Sequence, residues 1–540
     1  MSSVKNISVV NVEVLDTETS INEFCYFDKP WYRYRHLQKL CLHIFVTTLA
    51  STNNGYDGSM LNGLQVFERW NKAMSYPSGA VLGALSNGTT FGAILAYFVA
   101  SWLSDKIGRK NATIAGSTIT FIGSILQANS TNYAFFLITR IILGFGNGIT
   151  AVSCPLLIAE ISFPDMKKES EPNTTSLKYK LSAFRSTATT SYGVFWYLGA
   201  LVAAWVTYGT RVMHTSYCWR IPSYMQGFFP IVQIIGTWFS PESPRYLISK
   251  GRTEEARKVI KYYHTGDSDD ERSRRFVEFQ IKEIQASIEL DKASNLSSYV
   301  DFIKIPSFRK RLFLIVIVGI MVNLSGNGLV SYYLNLVLDS IGIKSEDMKL
   351  QINGYLMTYN FVISLVIAFT VGRFRRRTIF LLSTALMLIF YVIWTILSAL
   401  NQKSNFEHKS LSNGVLAMIF LYYFGYNLAL NGLCSLYITE LLPYSHRAKG
   451  VNIFQFFVNA LIIFNGFVNP VAMKAIEWKY YIVYCCVLAV EFIVVYFTFV
   501  ETSGYTLEEA SEIFNETARS ESIASSDVKE VHAEVILSKV

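Results

Sequence analysis

The sequence predicts an all-α membrane protein of twelve transmembrane helices in two pseudo-symmetric halves of six, on three observations. Only 16% of the 540 residues are charged and 51% are hydrophobic, whereas a soluble domain carries about a quarter charged. A mean hydropathy of +0.29 over the whole length needs many apolar spans and not one anchor. The basic residues gather in short loops between those spans, as orientation signals do in membrane proteins. The net charge of +8 is thereby accounted for without nucleic acid as a partner.

A crossing takes ~20 apolar residues for ~30 Å of hydrocarbon. Runs of that kind lie near 38–60, 79–103, 112–128, 133–159, 188–208 and 221–240. A second set lies near 311–338, 351–371, 378–400, 413–438, 448–472 and 479–499. The implied plan is a tail over 1–37, one half over 38–240, a middle segment over 241–308, the second half over 309–500 and a tail over 501–540. In the middle segment, GRTEEARKVIKYYH and DDERSRRFVEFQIKEIQASIELD alternate at helical period with mixed charge, which predicts amphipathic helices on a membrane face. The segment before the first span holds Glu13, Asp16, Glu18 and Glu23. It is too long and too acidic for a cleaved signal, so the first helix is expected to remain as a span.

Lys106, Arg109 and Lys110 follow the second span, Arg373 and Arg375 to Arg377 the eighth, and Arg447 and Lys449 the tenth. All fall on one side, together with both termini and the middle segment. The positive-inside rule makes that side cytoplasmic and the whole a multi-pass protein, expected in the plasma membrane. The seven cysteines show no CxxC spacing and the seven histidines form no ligand pair, so neither metal nor cofactor is expected. No nucleophile–base pair or phosphate loop is present, which argues against an enzyme.

The two halves repeat a signature, SWLSDKIGRK at 101–110 and TVGRFRRR at 370–377, the mark of a duplicated carrier. RIILGFGNG at 140–148, PLLIAEISFP at 155–164, WRIPS at 219–223 and PESPRYLISKGR at 241–252 follow in the first half and the segment after it. The second half has SGNGLVSYYL at 325–334 and ITELLPYSHRAKG at 438–450, then VETSGYTLEEA at 500–510. Together these resemble the sugar porters of the major facilitator superfamily (MFS) over about residues 38–510. GYDGSMLNGLQ at 55–65 and FNGFVNPVAMKAIEWKYYIVY at 464–484 resemble its fungal, lactose-permease-like branch. The resemblance implies uptake of a sugar by alternating access, coupled to protons, by a monomer in lipid. A receptor that binds sugar without moving it, or an uncoupled facilitator, is the alternative.

The residues suggest where this would happen. Asp105, Arg109, Glu160 and Arg185 form one charge cluster at the helix ends, and Arg376, Glu440 and Arg447 its counterpart. In the family such clusters act as a cytoplasmic gate, and partly buried pairs of this kind select between states more than they stabilise. Asp57 and Arg140 lie at one depth inside spans one and four, where an ionisable residue costs on the order of 2.5–3.5 kcal/mol. By resemblance Asp57 carries the proton and Arg140 tunes it; a static bridge is the other reading. Sugar binding needs amides for hydroxyl pairs and aromatic faces for C–H surfaces. Asn323, Asn327, Tyr332 and Tyr333 of span seven, with Trp196, Asn427 and Asn459, are the candidates. Glu491, in the twelfth span, is expected to pack or to snorkel towards water.

The fit departs from the family at several points. Ser101 replaces a glycine, Gly372 and Arg375 replace the acid and glycine of the second signature, and Asn323 replaces a glutamine. The second cluster is therefore expected to be weak. Residues 165–182 form an insertion in a loop that is short in the family.

Overall fold

The computed structural model describes residues 31–163, 184–294, 299–370, 374–442 and 444–502. The insertion 165–182, Gly372 with Arg373, and most of both tails lie outside that description. Among the described residues all regular structure is helical. The first half comprises α1 (Arg35–Leu64), α2 (Ala80–Ile107), α3 (Arg109–Ala128), α4 (Tyr133–Ile161), α5 (Phe184–Thr210) and α6, in two segments (Tyr217–Met225 and Phe228–Trp238). The second comprises α7, also in two segments (Pro306–Leu324 and Asn327–Ser340), α8 (Glu346–Thr370) and α9 (Arg376–Lys403). Then come α10, broken between Lys409–Ala429 and Leu433–Leu441, α11 (Tyr444–Ile476) and α12 (Tyr480–Thr498). Among the described residues the spans thus form two sets of six.

Six stretches among the described residues are long and apolar enough to cross a membrane by themselves, including Ala80–Ile107, Tyr133–Ile161 and Pro306–Ser340. The first helix is not among them, because it carries Asn53, Asn54, Asp57 and Asn62 through its middle. Almost all of α1 from Val46 onwards is buried against neighbouring helices. A helix shielded from lipid by protein need not be apolar throughout.

Glycines set the spacing around the site. A Cβ on Gly55 would stand 1.8 Å from the Trp196 carbonyl oxygen, and one on Gly199 would stand 1.8 Å from that of Thr52. Thus α1 and α5 cross backbone to backbone. The same reciprocal approach joins α2 to α4, where Gly92 faces the Ile141 carbonyl and Gly144 that of Thr89. Small residues permit this contact without any hydrophobic drive between helices.

The middle segment forms helices at Pro244–Ser249, Thr253–Thr265 and Glu271–Ser294. Many of their apolar residues pack against one another. Tyr246, Leu247, Ala256, Ile260, Val277 and Ile281 bury one another, and Phe276 packs with Phe163 at the end of α4. Burial within protein satisfies these amphipathic faces as well as an interface would.

The halves are tied together at the end remote from Arg109 and Arg376. Asn62 donates to the Ser331 carbonyl at 2.5 Å, Trp205 to Thr358 Oγ1 at 3.1 Å and Gln351 to Tyr208 Oη at 2.8 Å. Asn87 donates to the Ile463 carbonyl at 3.0 Å, and Arg211 pairs with Asp347.

Candidate functional site

A cavity of about 390 Å³ lies at the meeting of α1, α2, α4, α5, α7 and α11. Its wall is polar and aromatic, with Asn54, Asn87, Asn147, Gln455 and Asn459 set against Tyr97, Trp196 and Tyr332. Asp57 and Arg140 form part of the same wall.

The ion pair is bidentate. Arg140 Nη1 lies 3.0 Å from Asp57 Oδ1 and Nη2 lies 3.1 Å from Oδ2. Its Nε donates to the Leu85 carbonyl of α2 at 2.8 Å. Gln226, at the break of α6, donates to Asp57 Oδ1 at 3.0 Å. With Asp57 5% exposed and Arg140 1%, two buried charges compensate each other directly. The fork-to-carboxylate geometry is the strong form of such a bond. Sequence reading missed Gln226, whose signal was an amide inside an otherwise apolar run.

Of the seven residues expected to bind sugar, Trp196, Tyr332 and Asn459 line the cavity. The other four do not. Asn323 spends its amide on the Val458 carbonyl of α11 at 3.2 Å. Asn327 donates to Tyr426 Oη at 3.1 Å and accepts from Ser331 at 2.8 Å. Tyr333 is fully buried and donates to the Gly466 carbonyl at 2.6 Å, while Asn427 donates to Asn360 Oδ1 at 2.9 Å. The break of α7 and the kink at Tyr333 turn Asn327 and Tyr333 towards neighbouring helices, where unsatisfied polar groups would be costly. Asn54, Asn87, Asn147 and Gln455 stand on the wall instead. These were hidden because an amide facing a cavity and one facing a helix look alike in sequence.

The charge clusters repeat in detail. Arg109 pairs with Asp105 at 3.0 Å and with Glu160 at 3.1 Å, and Ser243 donates to Glu160. Glu242 Oε1 accepts the backbone amides of Arg109 and Lys110, both at 3.1 Å. In the second half Arg376 pairs with Glu440 at 3.3 Å, and Thr502 donates to Glu440 at 2.6 Å. Glu501 accepts the amides of Arg376 and Arg377 at 2.8 and 3.2 Å. Glu242 and Glu501 are acids that sequence reading passed over, although the parallel P-E-S and V-E-T strings contained them. The side chains of Arg185 and Arg447 lie outside the described residues. Burial pushes the Glu242 carboxyl up, against the pull of the amides of Ser243, Lys110 and Arg109.

The counterpart of the missing acid, Asp105, has a side chain 72% exposed, whereas Arg109 and Glu160 are 12% and 11% exposed. An exposed pair contributes about 0–1 kcal/mol. The loss at Gly372 therefore removes the weakest member of the pattern and leaves Arg376, Glu440, Glu501 and Thr502 in place.

A polar cavity between two six-helix halves, an ion pair on its wall and duplicated charge clusters at one end define a multi-pass membrane carrier of the major facilitator type. The chain belongs to the Sugar (and other) transporter family, whose model matches residues 43–514. It is similar to the MFS-type transporter oryC of Aspergillus oryzae, 29% identical over 493 residues, covering 88% of this chain and 85% of that protein. The hexose transporter HXT9 of Saccharomyces cerevisiae is 26% identical over 538 residues, covering 95% of this chain and 90% of its own length. Among solved structures, the partially occluded inward-open xylose transporter XylE from E. coli aligns with a TM-score of 0.68 at 18% identity. The alignment covers 87% of this chain and all of that one, and is a likeness of fold.

Proposed function

We propose that the protein carries a sugar across the membrane by alternating access, with a proton as co-substrate. The observation that carries this reading is the cavity itself, because Asp57 and Arg140 share its wall with the amides and rings suited to a pyranose. Amides pair with vicinal hydroxyls, and Trp196 and Tyr332 offer faces to the C–H side of the ring. The relatives named as hexose transporters and the fold shared with a xylose transporter support a monosaccharide.

Alternating access follows from the arrangement of the halves. With the basic end in the cytoplasm, the bonds between halves close the external side and the cavity is served from within. Asp57 on its arginine is then the ionised, proton-released state. Protonation neutralises the acid, frees Arg140 and weakens the tie between α1 and α4, so proton binding and helix movement are linked.

Uptake of labelled hexoses, pentoses and disaccharides, in cells lacking their own carriers, tests the reading. Accumulation with alkalinisation of the medium supports it. Saturable binding without uptake makes the protein a receptor, and uptake without proton entry makes it a facilitator.

A further inference from the structure

The twelfth span carries an acid that the proposed transport cycle does not use. Glu491 sits on the buried face of α12, in register with Tyr484, Leu488 and Val495, and is 4% exposed. It does not snorkel to water. Its Oε2 lies 3.1 Å from Ser325 Oγ at the break of α7, and its Oε1 is buried without a hydrogen-bond partner. From α10, the neighbouring titratable groups are Tyr422 and Cys434, both uncharged. Among the described residues no lysine, arginine or histidine acts on it.

The serine hydroxyl can donate to the carboxyl or accept from it, and the Met321 carbonyl competes for its one hydrogen. The carbonyl can only accept. With the serine hydrogen given to Met321, the contact to Glu491 needs a hydrogen on the carboxyl. A buried carboxylate with no cation and one oxygen unpaired is also the costly alternative.

We infer that Glu491 is a second proton-binding site, occupied in this conformation, whose carboxylic acid donates to Ser325 and ties α12 to the break of α7. The break is otherwise held by Tyr422, which donates to the Ser325 carbonyl at 2.9 Å, and by Gly326. The proton comes from solvent and returns there, with no other bond made or broken. The site is separate from Asp57, and the inference does not depend on coupling at that residue.

Infrared difference spectroscopy on the purified full-length protein in lipid at neutral pH tests it. Wild type minus Glu491→Gln is expected to show a protonated-carboxyl band, while Asp57→Asn leaves that band in place. Glutamine keeps the size and donates to Ser325 in the acid's stead, so the variant is expected to fold. Ser325→Ala, which retains Glu491, is expected to shift the band to higher frequency. A carboxylate signature at Glu491 overturns the site, and a band unmoved by Ser325→Ala overturns the tie to α7.

Discussion

Asp57 meets its arginine through both carboxylate oxygens, so removing one partner leaves a bare charge in a buried place. Arg140→Ala is expected to destabilise the protein by about 3–5 kcal/mol, the range for breaking a buried pair from one side. Thermal unfolding of the purified protein measures this. Asp57→Asn keeps the shape and one acceptor for Gln226 and Arg140, and should be milder. It should abolish accumulation of sugar against a gradient while leaving exchange of internal for external sugar; accumulation by the variant would make the pair a packing device. Asn323 gives the opposite lesson. The family's longer amide suggests that Asn323→Gln would tighten sugar binding, but the observed bond runs to the Val458 carbonyl. Lengthening the side chain is expected to cost that bond, about 0.5–1.5 kcal/mol of stability, with no gain in affinity. A calorimetric titration showing tighter binding would return Asn323 to the site.

At the level of the element, the break of α7 is decided by Gly326. Gly326 adopts φ +102°, and a Cβ there would stand 2.7 Å from the Tyr391 ring. A non-glycine residue at positive φ costs roughly 1–2 kcal/mol even before that clash. Gly326→Ala is therefore expected to lower the unfolding temperature and to move Ser325 away from Glu491 and Tyr422; an unchanged melting curve would show the break to be adaptable. The glycine-rich string at 325–328 made the break of α7 legible in sequence. The break of α10 at 430–432 and the two-segment form of α6 were not, since their residues read as continuous apolar helix. Tertiary packing overrides local preference there. The missed Gln226 and the displaced Asn427 lie beside these two breaks, where a change of helix axis turns side chains to other neighbours.

At the level of the whole molecule, the junction between halves and the charge clusters govern which end is open. Gly83 of α2 lies so close to α11 that a Cβ would stand 2.6 Å from the Gly466 carbonyl oxygen. Backbone cannot rotate out of the way as a side chain can. Gly83→Leu is expected to wedge that end apart and shift the population towards the state open there. Cysteine labelling from the two sides would read the shift, and an unchanged labelling ratio would show the junction not to be a gate. At the other end, the acid Glu242 gathers three amides on one oxygen. Burial raises its carboxyl, so its contribution to stability is full below the unfolded carboxylate range and lost as pH rises through the raised value. Glu242→Gln retains an oxygen for the amides and cannot ionise. Its unfolding temperature should exceed wild type most at neutral pH and converge with it in acid.

The sequence by itself determined the number of spans, their division into two sixes, the repeated signatures and the presence of Asp57 and Arg140 at one depth. Each of these is written in properties local to a segment, such as apolar length, loop charge and residue spacing, which hydrocarbon thickness and helix rise convert into structure. Only the tertiary structure decided which amides face the cavity and which face helices, that Glu242 and Glu501 cap matching helix ends, and that Glu491 turns inward to the break of α7. Those outcomes depend on the rotation and breaking of each helix against its neighbours. That rotation is fixed by side chains distant in the chain, through backbone contacts such as Gly55 with Trp196 that no single segment records.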